Sequence, residues 1–388
     1  MKVRKVEAIT VRVPYKRIES SSIINRGGVT DVIVKVTADN GLVGWGECTR
    51  AADTAGIESA VNSMAPLIVG RSPWDKEAMH RDLGLYAVWA FQPMTGNFAF
   101  AGIDMALWDL CGKECGQPLY RMLGGAMRDV VDYYYYMEWG APQEIARQAS
   151  DGVKRGYRAY YIKVGVDERK EESMLEALRA AIRPHCKIRI DVNQAWTRPQ
   201  AVRLLKRWHD RYDLDFVEAP VPIDPVENYL ELKSRIDVPI CVNEGLWREA
   251  DAYRLIKSRC GDYLCYSSYW VGSAGRWHAL NQISHMEGWQ VVKHTHGELG
   301  LTAAAGQHVM LAAPNAALGS QQTAQIMEDD ILTEAIPIID GPSWGRIERP
   351  GLGVDVDEDK LMRFHESYKK HGEFPTYSGK VATPETNR

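Results

Sequence analysis

Beyond about residue 130 the chain falls into a regular rhythm. Short apolar or β-branched segments return roughly every 27 residues, with helical periodicity between them. The strand segments are 131–137, 159–165, 187–192, 215–221, 239–244, 262–267 and 289–296. Helices fit between them, for example over 169–183, 198–209, 226–236 and 273–287. A strand–helix repeat with right-handed crossovers builds a parallel sheet. Seven or eight such units over roughly 210 residues favour closure into a (β/α)8-type barrel over an open doubly wound sheet. Neither GxGxxG nor GxxxxGK[ST] follows a strand here, so a nucleotide-binding fold has no local support.

The first 125 residues follow another plan. Residues 3–13 and 31–37 read as strands, ADNG at 38–41 as a turn, and 54–67 and 75–89 as helices. Residues 98–114 form an apolar helix with small residues on one side, and GQPLYRMLGG closes the region. Strands followed by helices make an α+β unit. The segment 365–388 is polar, without periodicity, and is expected to be a surface tail.

Composition narrows the function classes. A net charge of −4 gives no footprint for nucleic acid or an anionic membrane. MKVRKVEAITVRVPYKR has no signal-peptide core, and no run approaches the roughly 18 apolar residues of a membrane span. Seven scattered cysteines without a CxxC read as reduced, small core residues of a cytoplasmic protein.

In α/β barrels the chemistry sits at the C-terminal ends of the strands. Those ends carry Tyr161 and Lys163, Asp191 and Asn193, Glu218, Glu244, Ser267, then His294 and His296. Asp191, Glu218 and Glu244 occupy the same place in three consecutive units. Carboxylates converging from adjacent strands repel unless a cation neutralises them, and oxygen ligands with room for water and substrate suit Mg²⁺. Strand alternation lets Tyr161 and Lys163 share a face, and likewise His294 and His296. Lys163 and a strand-seven histidine then approach a metal-held carboxylate substrate from opposite sides, an arrangement for α-proton abstraction.

With these motifs in view, the sequence resembles the enolase superfamily, in particular its mandelate racemase and muconate lactonizing branch. GLVGWGE (41–47) looks like the capping-domain signature, and AGIDMALWDLCGKECGQPLYRMLGG (101–125) like the link into the barrel. DVNQAW, FVEAPV and VNEGLW look like the three metal-ligand strands. The resemblance implies an α/β fold, a (β/α)7β TIM-like barrel over 126–339 with an α+β capping domain over 1–125. The segment from about 340 to 388 completes the cap. It also implies one Mg²⁺ on Asp191, Glu218 and Glu244, an enediolate intermediate, and a homo-oligomer. The sequence departs from the family in two ways. Tyr161 replaces the first Lys of Lys-x-Lys, leaving Lys163 as the base. Ser267 replaces the acid that pairs with the strand-seven histidine, and Trp270 lies near the place of the lactonizing branch's strand-six Lys.

The expected activity is a Mg²⁺-dependent dehydratase of a hydroxy-carboxylate, a sugar acid, with Lys163 and His294 exchanging protons and His296 a close rival of His294. Tyr161 is expected to be a packed aromatic bonded to Lys163 or substrate. Asn193 either orients a metal-bound or substrate oxygen or caps the following helix. The tyrosine run 133–136 reads as barrel packing. Tyr136, Glu138 and Arg26 are candidate substrate contacts, Arg26 from a glycine-flanked loop that is either a lid over the site or a flexible surface loop. Residues 16–30 and 46–56 are expected to set the substrate. The alternatives are a racemase or epimerase using Lys163 and His294 as two bases, or a non-catalytic carboxylate-binding relative.

Overall fold

The computed structural model of the chain describes residues 1–22, 25–49, 53–86, 93–336 and 341–375. Parts of the expected 16–30 and 46–56 segments, the end of the 75–89 helix, and residues 376–388 lie outside the described residues.

An antiparallel sheet opens the chain, in the order β1 (Val3–Ser20), β2 (Asn25–Ala38), β3 (Val43–Cys48). The turn signal at 38–41 separates the last two, and β3 is the GLVGWGE segment. Helices α1 (Thr54–Ile68), α2 (Lys76–Tyr86), α3 (Pro93–Cys115) and α4 (Leu119–Met122) follow. The small residues of α3 have a specific use. A Cβ on Gly46 would collide with the carbonyl of Gly102, so glycine on both elements lets β3 lie directly against α3.

Seven parallel strands then form one sheet in sequence order. They are β5 (Tyr135–Met137), β6 (Ala159–Lys163), β7 (Lys187–Asp191), β8 (Leu214–Glu218), β9 (Ile240–Val242), β10 (Tyr263–Tyr266) and β11 (Gln290–Lys293). They are preceded by β4 (Val131–Asp132). Helices α5 (Pro142–Lys154), α6 (Glu168–Ala181), α7 (Arg198–Tyr212), α8 (Glu227–Lys233) and α9 (Glu249–Ser258) alternate with them. The short α10 (Ser268–Val271), then α11 (Ala274–Met286) and α12 (Gly300–Ala312), complete the set. The sheet curls, and residues 315–321 close it. Ala317 N–H donates to Val291 O at 2.8 Å on one side, and Ser320 N–H donates to Asp132 O at 2.7 Å on the other. Arg189, buried inside the barrel, donates to the carbonyls of Leu318 and Gly319 and anchors this closing segment. Closure decides for the barrel over the open doubly wound sheet.

The barrel interior holds two small clusters. Tyr134, Tyr136, Ala159 and Tyr161 fill one side, and Phe216, Cys241, Cys265 and Val292 the other. The large apolar core lies outside, between strands and helices. Six cysteines are buried and all seven are free, but Cys115 is exposed, which corrects its reading as core filler. Residues 365–371 belong to α13 (Glu358–His371), so the expected tail begins later than the sequence suggested. His365 Nδ1 lies 2.7 Å from Thr10 O, which ties α13 to β1. Between barrel and α13, β12 (Ser343–Trp344) pairs with β4.

Buried carboxylates from the two signature segments bind cap to barrel. Glu47 accepts from Leu299 N at 2.8 Å and Thr302 N at 2.9 Å, at the start of α12. Asp104 accepts from Ala274 N at 2.8 Å, at the start of α11. Helix N-termini carry unsatisfied N–H groups and partial positive charge, so acceptors are favoured there. Asp109 accepts from Trp45 N at 3.0 Å and Leu352 N at 2.9 Å.

Candidate active site

Each candidate metal ligand ends a strand or follows one closely, and the backbone then turns sharply. Asn193, two residues after Asp191, has φ 47; Ala219, after Glu218, has φ 44; Gly245, after Glu244, has φ 96. Non-glycine residues pay of order 1–2 kcal/mol in this region. Strain that recurs at neighbouring strand tips marks a site whose geometry matters.

Asp191 is 1% exposed, Glu218 1% and Glu244 8%. Burial, then Asp191 and Glu244, pushes the Glu218 carboxyl well above the usual range. Burial and Asp191 push Glu244 to about 7. Glu244 Oε2 is buried with no hydrogen-bond partner among the described residues. All the donors are oxygens, the contact of Lys163 with Asp191 offsets one of the three carboxylates, and one oxygen is orphaned. These three residues therefore fit a hard divalent cation. Their oxygens are not drawn into one tight group. Asp191 Oδ2 accepts from both Tyr161 Oη and Lys163 Nζ at 2.6 Å, and Glu244 Oε1 accepts from Asn193 Nδ2 at 3.1 Å. Glu218 Oε2 accepts from Gln321 Nε2 at 3.1 Å. The ligand atoms gathered within 4.8 Å of one another are those of Glu218, Cys241 and Cys265. Sequence spacing gave no sign of this pairing, because the two cysteines come from different strands.

Tyr161 bonds Asp191, not Lys163 as the sequence suggested, and it stacks on Tyr134 with ring centroids 4.4 Å apart. Burial and then Asp191 hold its phenol well above the usual value, so it is no base. Lys163 also donates to Asn193 Oδ1 at 3.1 Å. Burial alone lowers an ammonium pKa, but Asp191, Glu19 and Glu218 outweigh it here and raise Lys163 above the usual lysine value. Asn193 thus links Lys163 to Glu244, and the α7 cap position falls to Thr197, which removes the helix-capping role.

His294 and His296 lie just past the tip of β11, their rings 4.9 Å apart and both in a cage with Tyr269 and Trp270. Burial lowers both, helped by His296 and Lys163 at His294, and by Arg26 and Lys163 at His296, which falls to about 3. Both shifts favour the neutral imidazole. His294 Nδ1 lies 2.5 Å from Tyr269 Oη. A partner in that position had no counterpart in the strand-six pattern, where Ser267 stands.

Arg26 does not sit in a lid loop. It belongs to β2, is 5% exposed, pairs with Glu19 at 2.5 Å and donates to the backbone carbonyl of His296. A hydrophobic-to-polar pattern cannot distinguish such a strand end from a loop when two glycines follow it. Glu19, which the sequence reading missed, also accepts from Tyr136 Oη at 3.0 Å. A cavity of about 90 Å³ between β1 and β5 is lined by Arg17, Glu19, Tyr136, Glu138, Trp139 and Ile326. Arg17 pairs there with Glu138. Trp139 Nε1 donates to Lys163 O at 2.6 Å, which sets this cavity beside the strand that carries Lys163. Gln321, also missed, comes from the closing segment and holds Thr295 N–H at 3.1 Å as well as Glu218.

A family profile described as Enolase C-terminal domain-like matches residues 144–360. A second, Mandelate racemase / muconate lactonizing enzyme, N-terminal domain, matches residues 5–124. The chain belongs to the mandelate racemase/muconate lactonizing group of the enolase superfamily. It is 25% identical to an N-succinyl-L-Arg/Lys racemase of Bacillus cereus, over 93% of this chain and 97% of that one. It is 29% identical to a D-galactonate dehydratase of Xanthomonas oryzae pv. oryzae, over 87% and 91% respectively. Among solved structures it is similar to a dipeptide epimerase of Enterococcus faecalis complexed with Mg and the dipeptide L-Leu-L-Tyr. That match has a TM-score of 0.84 at 25% identity and covers 92% of this chain and 100% of that one. The chain is therefore an enolase-superfamily enzyme, with isomerases and dehydratases both among its relatives. No helix among the described residues is long and apolar enough to cross a membrane.

Proposed function

We propose that this enzyme uses Mg²⁺ to remove the proton α to the carboxylate of a hydroxylated acid, a sugar acid, and then loses the β-hydroxyl to give a 2-keto-3-deoxy acid. Asp191, Glu218 and Glu244 would hold the ion. Bound there, Mg²⁺ supplies charge stabilisation to the substrate carboxylate as its α-proton leaves. Lys163 Nζ takes that proton as the free amine, the form favoured once a bound cation would offset Asp191 and Glu218, two of the charges that raise it. The C–H electron pair passes into the new C=C bond, the β-hydroxyl departs as water with the proton that Lys163 has accepted, which returns the free amine, and the enol tautomerises. His294 offers a hydrogen bond to the departing hydroxyl from the other side. Tyr161 and Asn193 hold Asp191 and Lys163 in place. The observation that carries this reading is the contact of Lys163 with Asp191 and Asn193 inside a nest of buried carboxylates. The pairing of Arg26 with Glu19 and Arg17 with Glu138 favours a substrate whose remainder is neutral and hydroxyl-rich over one with a second carboxylate.

A second reading is epimerisation by the same α-proton transfer, with Lys163 and His294 as the two bases. The relatives named racemase or epimerase support it, and on likeness alone they support it more strongly than dehydration. The missing acid at position 267 counts against it, since no carboxylate stands there to orient His294 as a base and stabilise its imidazolium. The test is incubation of a broad panel of acid sugars and acylated amino acids with Mg²⁺ in D₂O. Keto-acid formation supports dehydration. Deuterium uptake without loss of water supports epimerisation. Neither, across the panel, refutes both.

A further inference from the structure

The bond between Tyr269 and His294 has a direction, and that direction sets what the histidine can do. Tyr269 is 1% exposed and packs against Phe98, Trp270 and His296, with ring centroids 4.9, 5.3 and 5.4 Å away. A buried phenol O–H without an acceptor costs about 1–3 kcal/mol. Among the described residues His294 Nδ1 lies 2.5 Å from Tyr269 Oη, and Ser267 Oγ, buried and otherwise without a partner, is placed to donate to the same phenol oxygen. If Nδ1 carried the imidazole proton, it would point at Oη, the phenol proton would turn to Ser267 Oγ, and the buried Ser267 hydroxyl would be left with no acceptor for its own proton. If Tyr269 donates, both groups are satisfied. A neutral imidazole that accepts at Nδ1 must carry its proton on Nε2.

We infer that Tyr269 is a positioning residue that fixes His294 as the Nε2–H tautomer, so that this histidine presents a hydrogen-bond donor to the substrate and not a base. The inference rests on the proposed function for its meaning, but not for its geometry. His294 is 8% exposed, and its Nε2 makes no hydrogen bond to protein among the described residues. The groups that face the ring are His296, Lys163, Lys293 and Arg26, all cationic or neutral, and with burial they oppose a positive imidazolium. A carboxylate at the same place would do the reverse. It would accept a hydrogen bond from Nδ1–H, stabilise the imidazolium and leave Nε2 as a base. A phenol therefore assigns the basic role to Lys163. It leaves His294 to bind an oxygen on the substrate, either the departing hydroxyl or a carboxylate oxygen on which charge builds. Two-base racemisation through His294 would first have to reverse this hydrogen bond.

The experiment is ¹⁵N NMR of the full-length protein with labelled histidine, at several values between pH 6 and 9. His294 is assigned by the loss of its signals in His294→Gln. The expected result is a protonated Nε2 and an unprotonated, hydrogen-bonded Nδ1 throughout, with Tyr269→Phe shifting the ring toward a mixture of the two tautomers. A protonated Nδ1 in the native protein, or a tautomer unchanged by Tyr269→Phe, overturns the inference. The native spectrum answers the question even if the variant fails to fold. If the tautomer is as stated but no carboxylic acid loses its α-proton to D₂O with Mg²⁺, the proposed function falls and the assignment of Tyr269 stands.

Discussion

Asp104, in the signature helix α3, offers a sharp test of how the cap is held on the barrel. One carboxylate oxygen accepts from Ala274 N at 2.8 Å, and the other is buried without a partner among the described residues. Burial pushes this carboxyl from 3.8 to about 7. A native pKa above the unfolded one means that the unfolded chain loses its proton first. Stability is then fully present below about pH 4 and declines until the native group also ionises near pH 7. The difference of about 3 units corresponds to about 4 kcal/mol at 1.36 kcal/mol per unit. The opposing attraction of an anion to the α11 N-terminus reaches at most about 2 kcal/mol in partly buried sites, so the penalty wins. Asp104→Asn keeps an acceptor for Ala274 N–H and removes the charge. Urea unfolding of both proteins from pH 4 to pH 9 should give equal midpoints at the acid end and a more stable variant above pH 7. The thermal midpoint should rise by roughly 5 °C at pH 8 for a chain of this length. A difference that does not change with pH, or a native protein more stable at pH 8, would refute the reasoning and show that Asp104 serves as an ionised helix cap.

Three other outcomes are expected. Saturating Mg²⁺ should raise the melting temperature by about 3 °C at a hundred times its dissociation constant, and EDTA or Glu244→Gln should abolish the rise, as followed by scanning calorimetry. Lys163→Ala should lower α-proton exchange on the preferred substrate by about 10²–10⁴-fold, and Lys163→Arg should not restore it, because a guanidinium does not give up its proton near neutrality. Glu47→Ala strips the acceptor from two buried N–H groups at the start of α12 and should cost about 2–6 kcal/mol in denaturant titration, at about 1–3 kcal/mol per orphaned donor.

The barrel was legible because its strands are buried on both faces and so appear as apolar runs at even spacing. The three carboxylates stood out because each interrupts such a run at the same point. The closing segment 315–321 did not stand out. Its residues, NAALGSQ, include no β-branched or aromatic side chain, and it is held by backbone bonds to Val291 and Asp132 and by Arg189 from across the barrel. Gln321 went unseen with it. Tyr269 was hidden for another reason. It sits in α10 beyond the strand tip, and a two-residue alternation along the strand cannot place it over His294. Arg26 was assigned to a loop on its glycines, whereas pairing with Glu19 on the neighbouring strand keeps that stretch extended. Contacts between residues far apart in the chain decided all of these, and one sequence does not display them.

The bond from Arg26 to the carbonyl of His296 joins the β1–β2 hairpin to the backbone beside the imidazole cage. Whatever moves the hairpin also pulls on that backbone. Substitutions at the hairpin end, chosen to change which acid enters, should therefore alter turnover along with affinity, so that retuning this enzyme for a new substrate requires the hairpin and β11 to be changed together.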